Sequence, residues 1–202
     1  GTSPQDLSKI HFKDWLDAAD IAFAFLKEKS VDIVVGGESM GGLLALYLAA
    51  NRPEIKGILL FAPALKSAGI LKARIMKSFI FASPKKNLAA TLPGFLPWQG
   101  YLVNPLKAVA ELGNLQNQVR NLLPQVQQPV LIFQGKQDET IDPESSTTIF
   151  NSISSINKEL IELNNCGHCV LLDIQHLLVY RKSVSFLTSL INSDTGYKKP
   201  FG

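Results

Sequence analysis

The sequence predicts an α/β protein: a mostly parallel sheet with helices on both faces and a helical insertion in its middle. Three observations carry this. Short apolar, β-branched runs alternate with segments of helical periodicity. Those runs show no polar alternation, as strands buried on both faces do not. The alternation then stops between Leu65 and Gln128 and resumes afterwards.

From Lys13 to Lys29 the apolar positions Trp15, Ala18, Ala22, Phe25 and Leu26 recur at helical spacing, with Asp14, Asp17 and Asp20 near the N-terminal end, where they suit the helix dipole. Val31 to Gly36 (VDIVVG) reads as a strand buried on both faces. A small-residue helix over Gly41–Ala50 is stopped by Arg52-Pro53. Gly57–Phe61 (GILLF) is the next strand, ended by Ala62-Pro63. In the insertion, helices are expected over Ile70–Phe81 and Leu106–Leu123, the second opened by Asn104 as N-cap and Pro105 at the first helical position. A Pro/Gly/aromatic piece with Phe95, Trp98 and Tyr101 lies between them. Pro129–Gln134 is a strand, Pro143–Ser155 a helix with Asp142 as N-cap, and Glu159–Leu163 a strand. The last helix, Ile174–Ile191, carries an apolar stripe of Leu177, Tyr180, Val184, Leu187 and Ile191. Residues 193–202 are polar and expected to be loose. The organisation expected is an α/β core over 1–64 and 129–192, a cap over 65–128 laid on the sheet's carboxyl edge, and a tail over 193–202.

With 202 residues, 46% hydrophobic and 18% charged, the chain has the composition of a folded globular protein. It holds no apolar run long enough to span a bilayer, and Gly1–Asp6 lacks the basic and apolar regions of a signal peptide. The net charge of +3 is unevenly spread: residues 65–128 hold eight basic side chains and one acidic, Glu111. A solvated basic face is the plainer reading; weak contact with anionic lipid is the other. No nucleic-acid motif accompanies the charge, which sets nucleic-acid binding aside. Two cysteines, Cys166 and Cys169, make no disulfide framework, so a reducing cytoplasm is expected.

The chemistry centres on Gly37-Glu38-Ser39-Met40-Gly41, directly after a strand and before a helix. A serine hydroxyl is a weak nucleophile until a base takes its proton and a sharp turn exposes it. The flanking glycines are expected because side chains there would collide across the turn, and the Met40 backbone N–H would point at a developing oxyanion. Of three histidines, His11 precedes the first long helix and His176 sits in the last one. His168 lies in a short loop after a strand, where a parallel sheet delivers catalytic groups. Asp138 stands just past the end of another strand, whereas Asp142 suits a helix cap and Asp173 starts the last helix. The expected triad is therefore Ser39, Asp138 and His168, in the chain order that distinguishes one class of serine hydrolases from chymotrypsin and subtilisin.

These pieces, with GTSPQDL, NPLKAVAEL and QPVLIFQGKQDETIDP, resemble the carboxylesterase and monoacylglycerol-lipase branch of the α/β-hydrolases over essentially the whole chain. The resemblance implies an α/β-hydrolase fold with a small helical cap, acting on short- to medium-chain carboxylic esters without cofactor or metal. The aromatics Phe95, Trp98 and Tyr101 would suit an acyl pocket, and equally a satellite core cluster. Members of this branch carry strands and a His-Gly loop, the source of a second oxyanion N–H, ahead of the stretch matching Gly1. The expectation is thus a fragment whose first strand is left with an open edge, pairing with a missing N-terminal segment or another chain.

Two other classes fit less well. Cys166-Gly167-His168-Cys169 is worded like a dithiol redox site but lies late in the chain and opens no helix after an early strand. A non-catalytic hydrolase-fold module binding a hydrophobic ligand or partner is the second.

Overall fold

The computed structural model describes residues 3–84 and 100–195, with side chains described through 191. Its centre is a four-stranded parallel sheet built from β1 (Val34–Glu38), β2 (Gly57–Phe61), β5 (Val130–Gly135) and β6 (Lys158–Leu163), in the order β1-β2-β5-β6. Helices α1 (Pro4–Leu7) and α2 (Phe12–Lys27) precede the sheet, and α3 (Met40–Asn51), α6 (Glu144–Ser152) and α7 (His176–Thr195) alternate with its strands. The insertion between β2 and β5 comprises α4 (Ile70–Met76), the antiparallel pair β3 (Ala82–Pro84) and β4 (Val103–Pro105), and α5 (Leu106–Leu122). The expected α/β architecture with an inserted helical region is the one observed.

The two faces of the sheet follow the period-2 rule. Ile58, Leu60 and Ile132 point into a cluster with Leu43, Leu46, Leu115, Val119 and Ile149 from α3, α5 and α6. Leu59, Phe61, Leu131 and Phe133 point the other way, against Val170 and the α7 side chains Val179, Phe186 and Leu187. Phe61 and Phe133 stack there with centroids 5.5 Å apart. Burying each such side chain is worth about 1.5–3 kcal/mol. All residues of β2 and β5 are buried, as their unbroken apolar runs predict.

The first strand differs from expectation. It spans Val34–Glu38 rather than Val31–Gly36: Val31 lies exposed ahead of it, and the strand continues through both glycines in register with Gly57–Phe61. Its residues are half-buried and Gly36 is exposed, because among the described residues β1 has a neighbour on one side only. The apolar stripe read on the last helix is also displaced. Of the five expected positions Leu177, Tyr180, Val184 and Ile191 are exposed and only Leu187 meets the core; the face turned to the sheet runs through Val179, Phe186 and Leu187. Both stripes have helical spacing; contact with β2 and β5 selects between them.

Several local expectations are corrected. α4 stops at Met76, short of the expected Phe81, and the chain turns into β3. Asn104 is not an N-cap: it pairs opposite Ser83 in β4, and Pro105 occupies the cap of α5. α1, capped by the Ser3 side chain through the Asp6 N–H, was not anticipated. The cap of α6 is Pro143 rather than Asp142, which stands one residue earlier, although its carboxylate accepts the Glu144 N–H at 2.9 Å. Among the described residues, no helix is long and apolar enough to cross a membrane.

Candidate active site

Parallel strands deliver their loops to one edge of the sheet, and three of these loops converge. β1 ends at Glu38, and Ser39 adopts φ 56° and ψ −116° before α3 begins at Met40. Such a conformation is strained for a residue with a Cβ and persists only where the surroundings hold it. Here the Ser39 N–H donates to Phe61 O at 2.9 Å, and Ser39 O accepts from the Ala64 and Gly42 N–H groups. The steric expectation for the flanking glycines holds for one of them. A Cβ on Gly37 would sit 2.3 Å from the Gly41 carbonyl carbon, while one on Gly41 meets no described atom within 4 Å. The close approach on the helix side falls instead on Gly42, whose Cβ would meet Pro63 at 3.0 Å.

Ser39 Oγ lies 2.9 Å from His168 Nε2, and His168 Nδ1 lies 2.8 Å from Asp138 Oδ2. The structure thus brings together the three side chains expected from the sequence. Asp138 is buried and its carboxylate fully engaged: Oδ1 accepts the Thr140 and Ile141 N–H groups, and Oδ2 also accepts from Gln134 Nε2 at 3.2 Å. Burial works to raise its pKa, but the His168 hydrogen bond, the His168 charge and the two backbone donors outweigh it and hold the carboxyl below its ordinary range. The acid is therefore ionised and able to orient the imidazole with Nε2 free to accept the Ser39 proton. Met40 is the first residue of α3, so its N–H is not used by the helix ladder and is available at the nucleophile.

The histidine loop is held by a residue that sequence reasoning placed elsewhere. Asp173, read as the start of the last helix, is buried and accepts the Gly167 N–H at 2.7 Å, immediately before His168. Glu38, within the elbow, accepts the Leu171 N–H at 3.3 Å; burial raises its pKa despite that bond and the His168 charge.

The other candidates lie apart. His11 caps α2 beside Glu111, and His176 contacts Asp173 O at the start of α7. Tyr101 is half-buried, while Phe95 and Trp98 lie outside the described residues. A recess of about 490 Å³ adjoins the acid loop, lined by the charged Lys66, Arg120, Glu139 and Asp142 together with Ala68 and Ile141. Cys166 and Cys169 are not joined in a disulfide. Burial pushes the Cys166 thiol up, the opposite of the thiolate a dithiol redox site needs.

The family model described as "Serine aminopeptidase, S33" matches residues 1–99 and 103–175. The chain is 30% identical over 192 residues to a thermostable monoacylglycerol lipase of Bacillus sp. (strain H-257), covering 92% of this chain and 74% of that one. It is 28% identical over 199 residues to a carboxylesterase of Bacillus subtilis (strain 168), covering 94% and 78%. Among solved structures, one of the metagenome-derived lipolytic enzymes LipS and LipT superposes with a TM-score of 0.85 at 28% identity, over 94% of this chain and 78% of that one. A monoacylglycerol lipase of Paleococcus ferrophilus shares the fold, with a TM-score of 0.71 at 20% identity over 86% and 74%. The chain therefore belongs to the serine aminopeptidase S33 family of the α/β-hydrolase superfamily, as a serine hydrolase of its esterase and lipase-like branch.

Proposed function

We propose that this chain hydrolyses short- to medium-chain carboxylic esters, monoglycerides among them, through an acyl-enzyme on Ser39. The observation that carries the reading is the continuous Ser39–His168–Asp138 hydrogen-bond chain ending on a strained strand-to-helix turn. In this mechanism Ser39 Oγ attacks the ester carbonyl as His168 Nε2 takes its proton. Asp138 holds the imidazole's orientation and stabilises its charged form. The oxyanion accepts the Met40 N–H. Collapse expels the alcohol, which takes the proton from His168; a water deprotonated by His168 then releases the acid. The inserted residues 65–128 would cover the site. The two esterase and lipase relatives support an ester over a peptide substrate. Hydrolysis of p-nitrophenyl esters from C2 to C12 beside an aminoacyl p-nitroanilide tests the choice, and Ser39→Ala should lower ester turnover at least about 10³-fold. Faster cleavage of the anilide would overturn it.

The edge of β1 left unpaired among the described residues favours a second reading, in which the chain by itself is a binding module. In that reading a further segment pairs with β1 and supplies the second oxyanion donor. A fluorophosphonate probe separates the two, since a competent Ser39 is labelled and a bare binding module is not. Exposed Leu71, Ile75 and Phe79 beside Lys72 and Lys77 support weak contact of the insertion with anionic lipid. Salt-sensitive retention on phosphatidylserine vesicles tests it. A cytoplasmic location is part of the same reading, supported by two cysteines that are not joined in a disulfide.

A further inference from the structure

The carboxylate of Asp138 has a partner that the triad does not use. Gln134, near the end of β5, is buried, and its Nε2 donates to Asp138 Oδ2 at 3.2 Å and to Gly135 O at 3.1 Å. Its Oε1 accepts from the hydroxyl of Ser146, a fully enclosed residue of α6, at 2.7 Å. Two acceptors on one side and a hydroxyl donor on the other fix which end of the amide faces the acid. The oxygen that receives Gln134 is the same Oδ2 that receives His168 Nδ1.

We propose that Gln134, locked by Ser146, is a positioning residue for the catalytic acid: it sets the Asp138 rotamer and draws charge from the oxygen that faces His168. This rests on the triad reading above. Two backbone donors already satisfy Oδ1, so the Gln134 bond governs how much negative charge remains on Oδ2. Without it, Oδ2 stabilises the imidazolium more strongly and the acid limb of the rate profile moves to higher pH. The other ionisable groups on the elements around this pair are Glu38 from β1, Asp173 ahead of α7, Cys166 and Cys169 on the histidine loop, and Lys136 and Glu139 on the acid loop, the Lys136 amine pairing with Glu162. None of them is altered by substitutions at 134 or 146.

The test is a double-mutant cycle with Gln134→Met, Ser146→Ala and the combined variant, measured as kcat/KM against pH on p-nitrophenyl butyrate and as Tm. Gln134→Met should lower plateau kcat/KM about tenfold and raise the acid limb by about half a pH unit. It should also lower Tm, by stranding the Ser146 hydroxyl. In the combined variant both polar partners are gone, so Tm should recover while the acid limb stays displaced. An acid limb that stays at its wild-type position in Gln134→Met, or that returns there in step with Tm in the combined variant, would overturn the proposal and leave Gln134 a packing residue. Should Gln134→Met fail to fold, Ser146→Ala alone decides, because it reaches the acid only through the Gln134 amide. Absence of turnover in the wild type would refute the ester-hydrolase reading instead. The inference would then be read from the His168 imidazole titration by NMR, where the same displacement supports it and an unchanged titration overturns it.

Discussion

Gly135→Ala should disable the enzyme, although the substitution adds one methyl group in a strand. The Gly135 backbone is not in the left-handed region, so alanine suits its conformation and, by propensity alone, should stabilise the strand by roughly 0.5–1 kcal/mol. The space decides otherwise. A Cβ there would lie 2.1 Å from Gly167 O and 2.4 Å from Cys166 O, against 3.4 Å or more for ordinary contact. Neither atom is the end of a flexible side chain. Both belong to the backbone that carries His168, tied to the acid loop by Gln137 N–H to Cys166 O at 2.9 Å and to Asp173 through the Gly167 N–H. The histidine loop must retreat by about 1 Å, and overpacking of this kind costs about 1–3 kcal/mol. A retreat on that scale takes His168 Nε2 out of hydrogen-bond range of Ser39 Oγ, and a misplacement of about 1 Å is worth on the order of 10² in rate. The assay is kcat/KM on p-nitrophenyl butyrate alongside Tm. Activity within threefold of wild type would refute the reasoning, because the two loops could not then be packed as described.

The elbow glycines should separate: Gly37→Ala should abolish fluorophosphonate labelling, while Gly41→Ala, with open space at its Cβ, should keep it and gain about 1 kcal/mol of stability from helix propensity, read as a higher Tm. Asp138 titrates lower in the native than in the unfolded chain, so its contribution to stability is present above its unfolded pKa near 4 and is lost as pH falls below that. Acid titration of Tm should accordingly be shallower below about pH 4 in Asp138→Asn than in wild type. Phe133→Ala, which empties a fully buried site stacked on Phe61, should lower stability by about 3–5 kcal/mol in urea unfolding.

The sequence by itself determined the α/β class, the place of the insertion and the three residues of the candidate site. Each of these is written locally: an apolar run marks a buried strand, and a serine between glycines, a histidine or an aspartate directly after such a run lies at the edge where parallel strands deliver their loops. Tertiary structure decided what depends on neighbours distant in the chain. β1 slid toward its glycines because β2 sets its register, and it is half-buried because it pairs on one side among the described residues. The last helix buries Val179 and Phe186 rather than the stripe through Leu177 and Tyr180, since two stripes of equal spacing are told apart only by the surface they meet. Gly37 and Gly41 look equivalent in the motif, yet only the first points its missing side chain at another backbone segment. Gln134 and Asp173 carry no motif; their parts follow from where Ser146 and Gly167 come to lie, twelve and six residues away in sequence but within 2.7 Å in space.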